Sequence, residues 1–168
     1  MRKCMLPVVT AIVLALAVPA LAQVSTTIVA GQSVGALRIG ASISEAISLL
    51  GDLYEQEDSE SGKFTSYDWP LTPFLLIAEK ESGRIVLISV WRTNAYRTDQ
   101  GITGGSRRDE VTRAYGSEFQ TEEGENLTGL VFDRLGIAFF LGKRGVLTDR
   151  VVEIVVFAPG RWKEITGE

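Results

Sequence analysis

The sequence predicts an α+β fold made of two tandem units, each a helix followed by a three-stranded antiparallel sheet, packed as one domain with the helices on one face of the sheet. Two observations predict this fold. Residues 105–116 repeat the pattern of residues 40–51, and residues 150–157 repeat that of residues 84–91, in the same order and at nearly the same offset. The first pair has the apolar spacing of amphipathic helices, and the second is rich in β-branched residues, as strands are.

The first 22 residues predict a secretory signal peptide. Arg2 and Lys3 precede an apolar run at residues 5–21, which ends in an Ala-Leu-Ala cleavage site at Ala22. A retained membrane anchor is the weaker alternative, because the run is shorter than the ~20 residues that span a bilayer. We therefore expect a periplasmic or secreted protein with no membrane span after cleavage.

Composition excludes several classes of protein. The chain has 168 residues, 45% of them apolar, which is enough for a substantial core. Its formal net charge of −4 argues against a nucleic-acid binder. The chain has no His, and its single Cys, Cys4, lies in the predicted signal peptide. Catalysis by Ser-His-Asp or Cys-His groups, thiolate metal clusters and internal disulfides are therefore excluded from the mature chain. The commonest zinc ligand, His, is also missing, and we expect no metal or cofactor.

Helix ends are marked in both units. In the first unit, residues 23–91, Ser42 and Glu45 have the spacing of a capping box, and Gly51 predicts the end of the helix. The apolar stripe of this helix consists of Ile43, Ala46, Ile47 and Leu50. In the second unit, residues 102–159, the caps are Ser106 and Asp109, the stripe is Val111, Ala114 and Tyr115, and the end is Gly116.

Three strands are predicted after each helix, at residues 63–69, 73–79 and 84–91 and at residues 127–134, 137–143 and 150–157. Alternation along the last strand of each unit places Val86, Ile88 and Val90 on one face, and Val152, Ile154 and Val156 on the corresponding one. We expect this aliphatic face to pack beneath the helices. Residues 92–101 connect the units, and residues 160–168 form a C-terminal tail.

Residues 40–51 also carry a family resemblance. Their Gly-x-Ser-x-x-Glu pattern and terminal Leu-Gly resemble the start of the small domains of the β-lactamase inhibitory protein (SmpA/OmlA-like) superfamily, and residues 97–116 resemble the same element. A tandem pair of such domains would cover about residues 33–159. The resemblance implies binding of proteins through an open sheet face and its loops. The chain departs from the family in lacking a lipid-anchoring Cys and disulfides.

Two acidic segments, residues 55–60 and 118–125, follow the predicted helices. Oxygen-rich turns of this kind suit calcium. Neither segment has the alternating acidic spacing of a calcium-binding loop, so we interpret both as solvated loops, with calcium binding as the alternative.

Aromatic residues mark a candidate binding surface. Tyr67 and Trp69 alternate onto one strand face, Trp91 ends another strand, and a proline-bracketed loop presents Leu71. Such side chains serve as anchors in protein interfaces, although they can equally fill the seam between the two units. The predicted partner-binding residues are Tyr67, Trp69, Ser89, Trp91, Glu153 and Phe157.

These patterns predict an exported, non-enzymatic protein-binding module of the inhibitor or envelope-assembly type, with a protein partner in the cell envelope. The alternative is a small hydrolase or ligand-binding domain that uses the carboxylates of Asp68, Asp133 and Glu153. A purely structural envelope protein is a third possibility.

Overall fold

The computed structural model describes residues 26–91 and 93–167, so the predicted signal peptide lies outside the described residues. The strands are β1 Thr27–Val29, β2 Ser33–Val34, β3 Leu37–Arg38, β4 Glu55–Asp58, β5 Phe64–Trp69, β6 Phe74–Glu79, β7 Ile85–Trp91, β8 Arg97–Thr98, β9 Gln120–Glu123, β10 Leu127–Phe132, β11 Ile137–Gly142 and β12 Val151–Phe157. The helices are α1 Ile43–Leu50, α2 Arg108–Tyr115 and α3 Trp162–Thr166.

An eight-stranded antiparallel sheet dominates the fold. Its strand order is β4-β5-β6-β7-β12-β11-β10-β9, so the two halves meet where β7 pairs with β12. Each half contains a helix followed by a four-stranded meander. A second, four-stranded sheet has the order β3-β2-β1-β8, in which β1 and β8 run parallel.

The predicted fold class was wrong. The protein is mainly β, each half has four strands after its helix rather than three, and the second sheet was not predicted. The missed strands give no periodic signal: β4 and β9 are acidic edge strands with mostly exposed side chains, and β1, β2, β3 and β8 have only two or three residues each. Such short or solvated strands cannot show an alternation of apolar and polar residues.

Helices cover both faces of the large sheet, which also contradicts the prediction. Helices α1 and α2 pack on what we call the first face, with the small sheet and buried residues such as Ile88 and Ile154. Helix α3 packs on the opposite, second face through Trp162 and Ile165. Helix α3, which lies in the segment predicted as a tail (residues 160–168), therefore contributes to a second hydrophobic core.

Each half attaches its helix to its last strand through the same backbone contacts. The Gly40 amide donates to the carbonyl of Ile85 at 2.7 Å, and the Gly105 amide donates to that of Val151 at 2.8 Å. The last strands also share a β-bulge. The extra residue is Val86 in β7 and Val152 in β12. The two halves are therefore alike in detail as well as in strand order.

The β-bulges change which residues face the helices. Ile88 and Ile154 are fully buried on the first face, as predicted. Val86 packs in the second-face core instead, so its predicted place beside Ile88 and Val90 was wrong. The predicted place of Val152 beside Ile154 and Val156 was wrong too, because Val151 occupies it in the first-face core. A bulge adds one residue and thereby reverses the alternation of faces on one side of it, which the sequence pattern does not reveal.

The helix starts confirm one predicted cap and correct the other. The Ser42 hydroxyl accepts from the amide of Ser44 at 3.2 Å, as an N-cap does, whereas Glu45, predicted to complete a capping box, pairs with Arg38. In α2 the N-cap is Arg107, whose amide donates to the Glu110 carboxylate at 2.6 Å. Ser106, predicted as the cap together with Asp109, instead accepts from the amide of residue 103, and Glu110 takes the place predicted for Asp109. The Glu110 carboxylate thus accepts from the Arg107 amide, which has no partner within the helix, and no capping hydroxyl is needed.

Candidate protein-binding surface

The six residues predicted to bind a partner do not share one surface. Tyr67 and Trp69 pack on the first face of the large sheet, beside α1. Phe157 belongs to the second-face core. Ser89 lies opposite Val155 of that core in the β7–β12 pairing and therefore faces the same side. A single partner cannot contact both faces through these side chains.

Trp69 is a structural residue. Its side chain is 1% exposed, and its indole Nε1 donates to the carbonyl of Gly51, the cap of α1, at 2.8 Å. The ring of Tyr54 lies 5.3 Å from that of Trp69 and 5.5 Å from that of Tyr67. Burial raises the pKa of the half-buried Tyr67 hydroxyl above its ordinary value. These aromatics fix the end of α1 in the first half, and Trp69 is inaccessible to a partner.

Phe157 is also inaccessible, because α3 covers it. Its side chain is fully buried, with its ring 4.9 Å from that of Trp162. The side chain of Asp133 accepts from the Trp162 amide at 3.1 Å, and Glu122 accepts from its indole Nε1. These contacts fix the start of α3 over the second face.

Ser89, Trp91 and Glu153 do come together on the second face. Ser89 is buried and donates its hydroxyl proton to Oε1 of Glu153. Trp91 lies directly opposite Glu153 in the β7–β12 pairing, and both side chains are half-buried. The indole therefore stands beside a carboxylate whose orientation a buried hydroxyl fixes.

Two apolar residues that sequence reasoning missed extend this group. Leu75 lies opposite Ser89, and Phe140 lies opposite Glu153, and both are half-buried. Their alternation with core residues along β6 and β11 is the sequence signal that could have found them. We call the set of Leu75, Ser89, Trp91, Phe140 and Glu153 the Trp91 surface.

Exposed apolar residues lie at the same end of the large sheet as the Trp91 surface. The Trp91 amide donates to the carbonyl of Pro73 at 3.1 Å, which brings the turn containing Leu71 to this end of the sheet. Leu71 is 81% exposed, and Val146, in the loop between β11 and β12, is 90% exposed. That loop lies against β11, because a Cβ at Gly142 would come within 2.7 Å of its backbone.

The three carboxylates of the hydrolase alternative lie apart. Asp68 is on β5, separated from Glu153 on β12 by strands β6 and β7. Its Oδ1 is buried and has no hydrogen-bond partner among the described residues. Asp133 follows β10 at the opposite end of the sheet, where it holds the start of α3. No two of these groups are placed to act on one bond.

The acidic segments form the outer strands of the large sheet, which corrects their interpretation as loops. Ion pairing with Lys80 lowers the pKa of Asp58 on β4, and pairing with Lys143 lowers that of Glu123 on β9. Charged side chains along an open edge oppose pairing with another sheet. In the described part of the chain, no three acidic residues are grouped as a metal site would require.

Comparison with known proteins finds similarity in fold. No known family model matches the chain, and no curated protein matches it either. The crystal structure of the uncharacterized protein YfeY from Escherichia coli is similar, with a TM-score of 0.55 and 14% sequence identity, covering 77% of this chain and 98% of that chain. At this identity the likeness concerns the fold alone. None of the described helices is long and apolar enough to cross a membrane.

Proposed function

We propose that the protein is an exported, non-enzymatic module that binds a protein partner in the periplasm or outside the cell through the Trp91 surface. The observation that carries this proposal is the pairing of a half-buried Trp91 with a carboxylate held by buried Ser89 on the second face of the sheet. The signal-peptide pattern of residues 1–22 supports export.

The chemistry of the Trp91 surface suits protein recognition. An indole offers a large rigid apolar area, and its loss of conformational entropy on binding is small. Ser89 bonds to Oε1 of Glu153 and restricts its rotation, so Oε2 can accept from a donor of the partner in a defined direction. A flanking apolar residue such as Val146 would exclude water around that contact.

The family resemblance of residues 40–51 and 97–116 supports the same class of function, because members of the β-lactamase inhibitory protein superfamily bind proteins through an open sheet face. A partner covering the Trp91 surface would act by exclusion, as an inhibitor does, or by scaffolding. The hydrolase alternative has no comparable support, since Asp68, Asp133 and Glu153 lie apart.

A Trp91→Ala variant tests the proposal. Purified mature protein and the variant would be used to capture proteins from an envelope extract of the source organism, with Leu135→Ala as the control. Leu135 is 45% exposed and lies at the other end of the sheet. We expect Trp91→Ala to weaken capture about tenfold or more and Leu135→Ala to leave it unchanged. Equal capture by wild type and by a folded Trp91→Ala variant would contradict the proposal.

A further inference from the structure

Three leucine side chains near the end of α1 are exposed. Leu49 lies in the last turn of α1, Leu53 follows its C-cap, and Leu71 lies in the turn between β5 and β6. Their exposed fractions are 59%, 69% and 81%. We call these three residues the leucine patch. Clustered exposed apolar side chains indicate a surface that contacts another molecule.

Trp69 connects the two segments that carry Leu53 and Leu71. Its indole donates to the carbonyl of Gly51 at 2.8 Å and packs against Tyr54, and Leu53 lies between these two residues in the chain. The backbone carbonyl of Trp69 accepts at 2.9 Å from the amide of Thr72, the residue after Leu71. Leu53 and Leu71 therefore flank the same buried indole.

The second half of the protein provides an internal comparison. Counted from the matching ends of helices and strands, Leu53 corresponds to Glu118 and Leu71 to Arg134. Glu118 and Arg134 line one cavity of about 280 Å³ beside Phe132. The backbone of this repeated unit therefore folds with charged residues at both positions. The backbone of the unit therefore does not require leucine at either position.

The leucine patch lies in an acidic part of the chain. Lys63 is the only basic residue between residues 39 and 79. Asp52 and Glu55 flank Leu53 in sequence and are exposed, and within residues 26–91 and 93–167 neither forms an ion pair. Contact between two copies of this patch would bring like charges together, which opposes self-association. A basic partner would instead be attracted.

We infer that the leucine patch binds a protein segment that presents apolar side chains flanked by Lys or Arg. Leu53 and Leu71 supply the apolar contact beside the indole of Trp69, and Asp52 and Glu55 pair with the basic groups. This site is separate from the Trp91 surface. The inference extends the proposed binding function to a second contact. Its failure would leave the proposed function of the Trp91 surface intact.

Titration of the isotopically labelled mature protein, followed by nuclear magnetic resonance, tests this inference. The probes are a synthetic amphipathic peptide of Leu and Lys and its counterpart with Glu in place of Lys. The test variant combines Leu53→Glu with Leu71→Arg, which copies the residues of the second half. The control is Val146→Ser, which changes a 90% exposed apolar residue outside the leucine patch.

We expect the Lys peptide to shift signals of Leu49, Leu53 and Leu71, and to bind the double variant at least about tenfold more weakly while binding Val146→Ser as wild type. Added salt should weaken binding, because part of it is electrostatic. No shift at the leucine patch, or equal binding of the two peptides, would overturn the inference. Concentration-dependent dimerisation through these leucines would overturn it in favour of a second copy of the chain. Each result leaves capture through Trp91 as an independent test of the proposed function.

Discussion

Arg84 and Arg150 make the same contact in the two halves of the protein. Nη1 of Arg84 donates to the carbonyl of Gly40 at 2.7 Å, and Nη1 of Arg150 donates to that of Gly105 at 2.8 Å. Each arginine stands at the start of the last strand of its half and reaches the glycine before the helix. Both halves therefore contain the same side-chain contact, which joins the two ends of each unit.

Removing these arginines should destabilise the fold unequally. The contact of Arg150 is partly buried and that of Arg84 is exposed, so water replaces the Arg84 contact more easily. We expect Arg150→Met to lower the free energy of unfolding by about 1–2 kcal/mol and Arg84→Met by less. Urea denaturation measures both, with Arg113→Met, an exposed helix residue, as the control. Equal losses in all three variants would contradict this role.

Gly136 joins the N-terminal segment to the large sheet. Its φ is +71°, and a Cβ there would lie 2.3 Å from the carbonyl oxygen of Phe157 and 2.8 Å from Cα of Gly31. Gly62 has a similar φ of +67° but open space around it. Gly62→Ala should cost about 1 kcal/mol, from backbone strain alone. Gly136→Ala should cost a further ~1–3 kcal/mol because the backbone must move apart. Equal stability of the two variants in urea would contradict this explanation.

Much of the first-face core could be predicted from sequence. The glycines that end α1 and α2 and the β-branched runs of β7 and β12 have strong local signals. The acidic strands β4 and β9 could not be predicted, because backbone pairing holds them and few of their side chains are buried. The bulge at Val86 could not be predicted from the sequence either, because it depends on the pairing with β6.

The candidate site was harder to predict than the core. Trp69 and Phe157 are large aromatic residues of the kind that protein interfaces use, but tertiary contacts with α1 and α3 bury them. Helix α3 has five residues, which is too short for a clear apolar period. Strand alternation and the repeat predict Ser89, Trp91 and Glu153 on one face of the sheet, and the β7–β12 pairing brings them together there. Their partners Leu75 and Phe140 required knowledge of the strand pairing.

Helix α3 should be essential to stability. Trp162 is 4% exposed and packs against Phe157 and Phe140 on the second face. We expect Trp162→Ala to lower the free energy of unfolding by about 3–5 kcal/mol and to increase the binding of a hydrophobic dye. Lys163→Ala, in the same helix but exposed, should change stability by less than about 0.5 kcal/mol. A Trp162→Ala variant as stable as wild type would show that α3 contributes little to the fold.

Tyr115 should make stability depend on alkaline pH. Burial raises its pKa from 10.0 to about 12, because the phenolate would be formed among apolar groups such as the ring of Phe139, 5.0 Å away. The unfolded chain releases this proton at lower pH than the folded one. The contribution of Tyr115 to stability is therefore present below pH 10 and is lost as the pH rises through about 12.

The Tyr115→Phe variant isolates this effect. Its stability relative to wild type should increase between about pH 9 and about pH 11, measured by urea denaturation at both values. The phenolate absorbance that develops last in wild type, near pH 12, should be absent from the variant. A constant difference in stability across this range would show that Tyr115 ionises as readily in the folded protein as in the unfolded chain.

Site-specific cross-linking tests the proposed binding function most directly. A photoreactive residue in place of Trp91 in the exported protein should form covalent adducts with a protein partner in the intact envelope, whereas the same residue in place of Leu135 should form none. Adducts at position 91 that disappear with unlabelled mature protein as competitor are the predicted result. Absence of adducts at position 91, or the same adducts at both positions, would contradict a partner bound at the Trp91 surface.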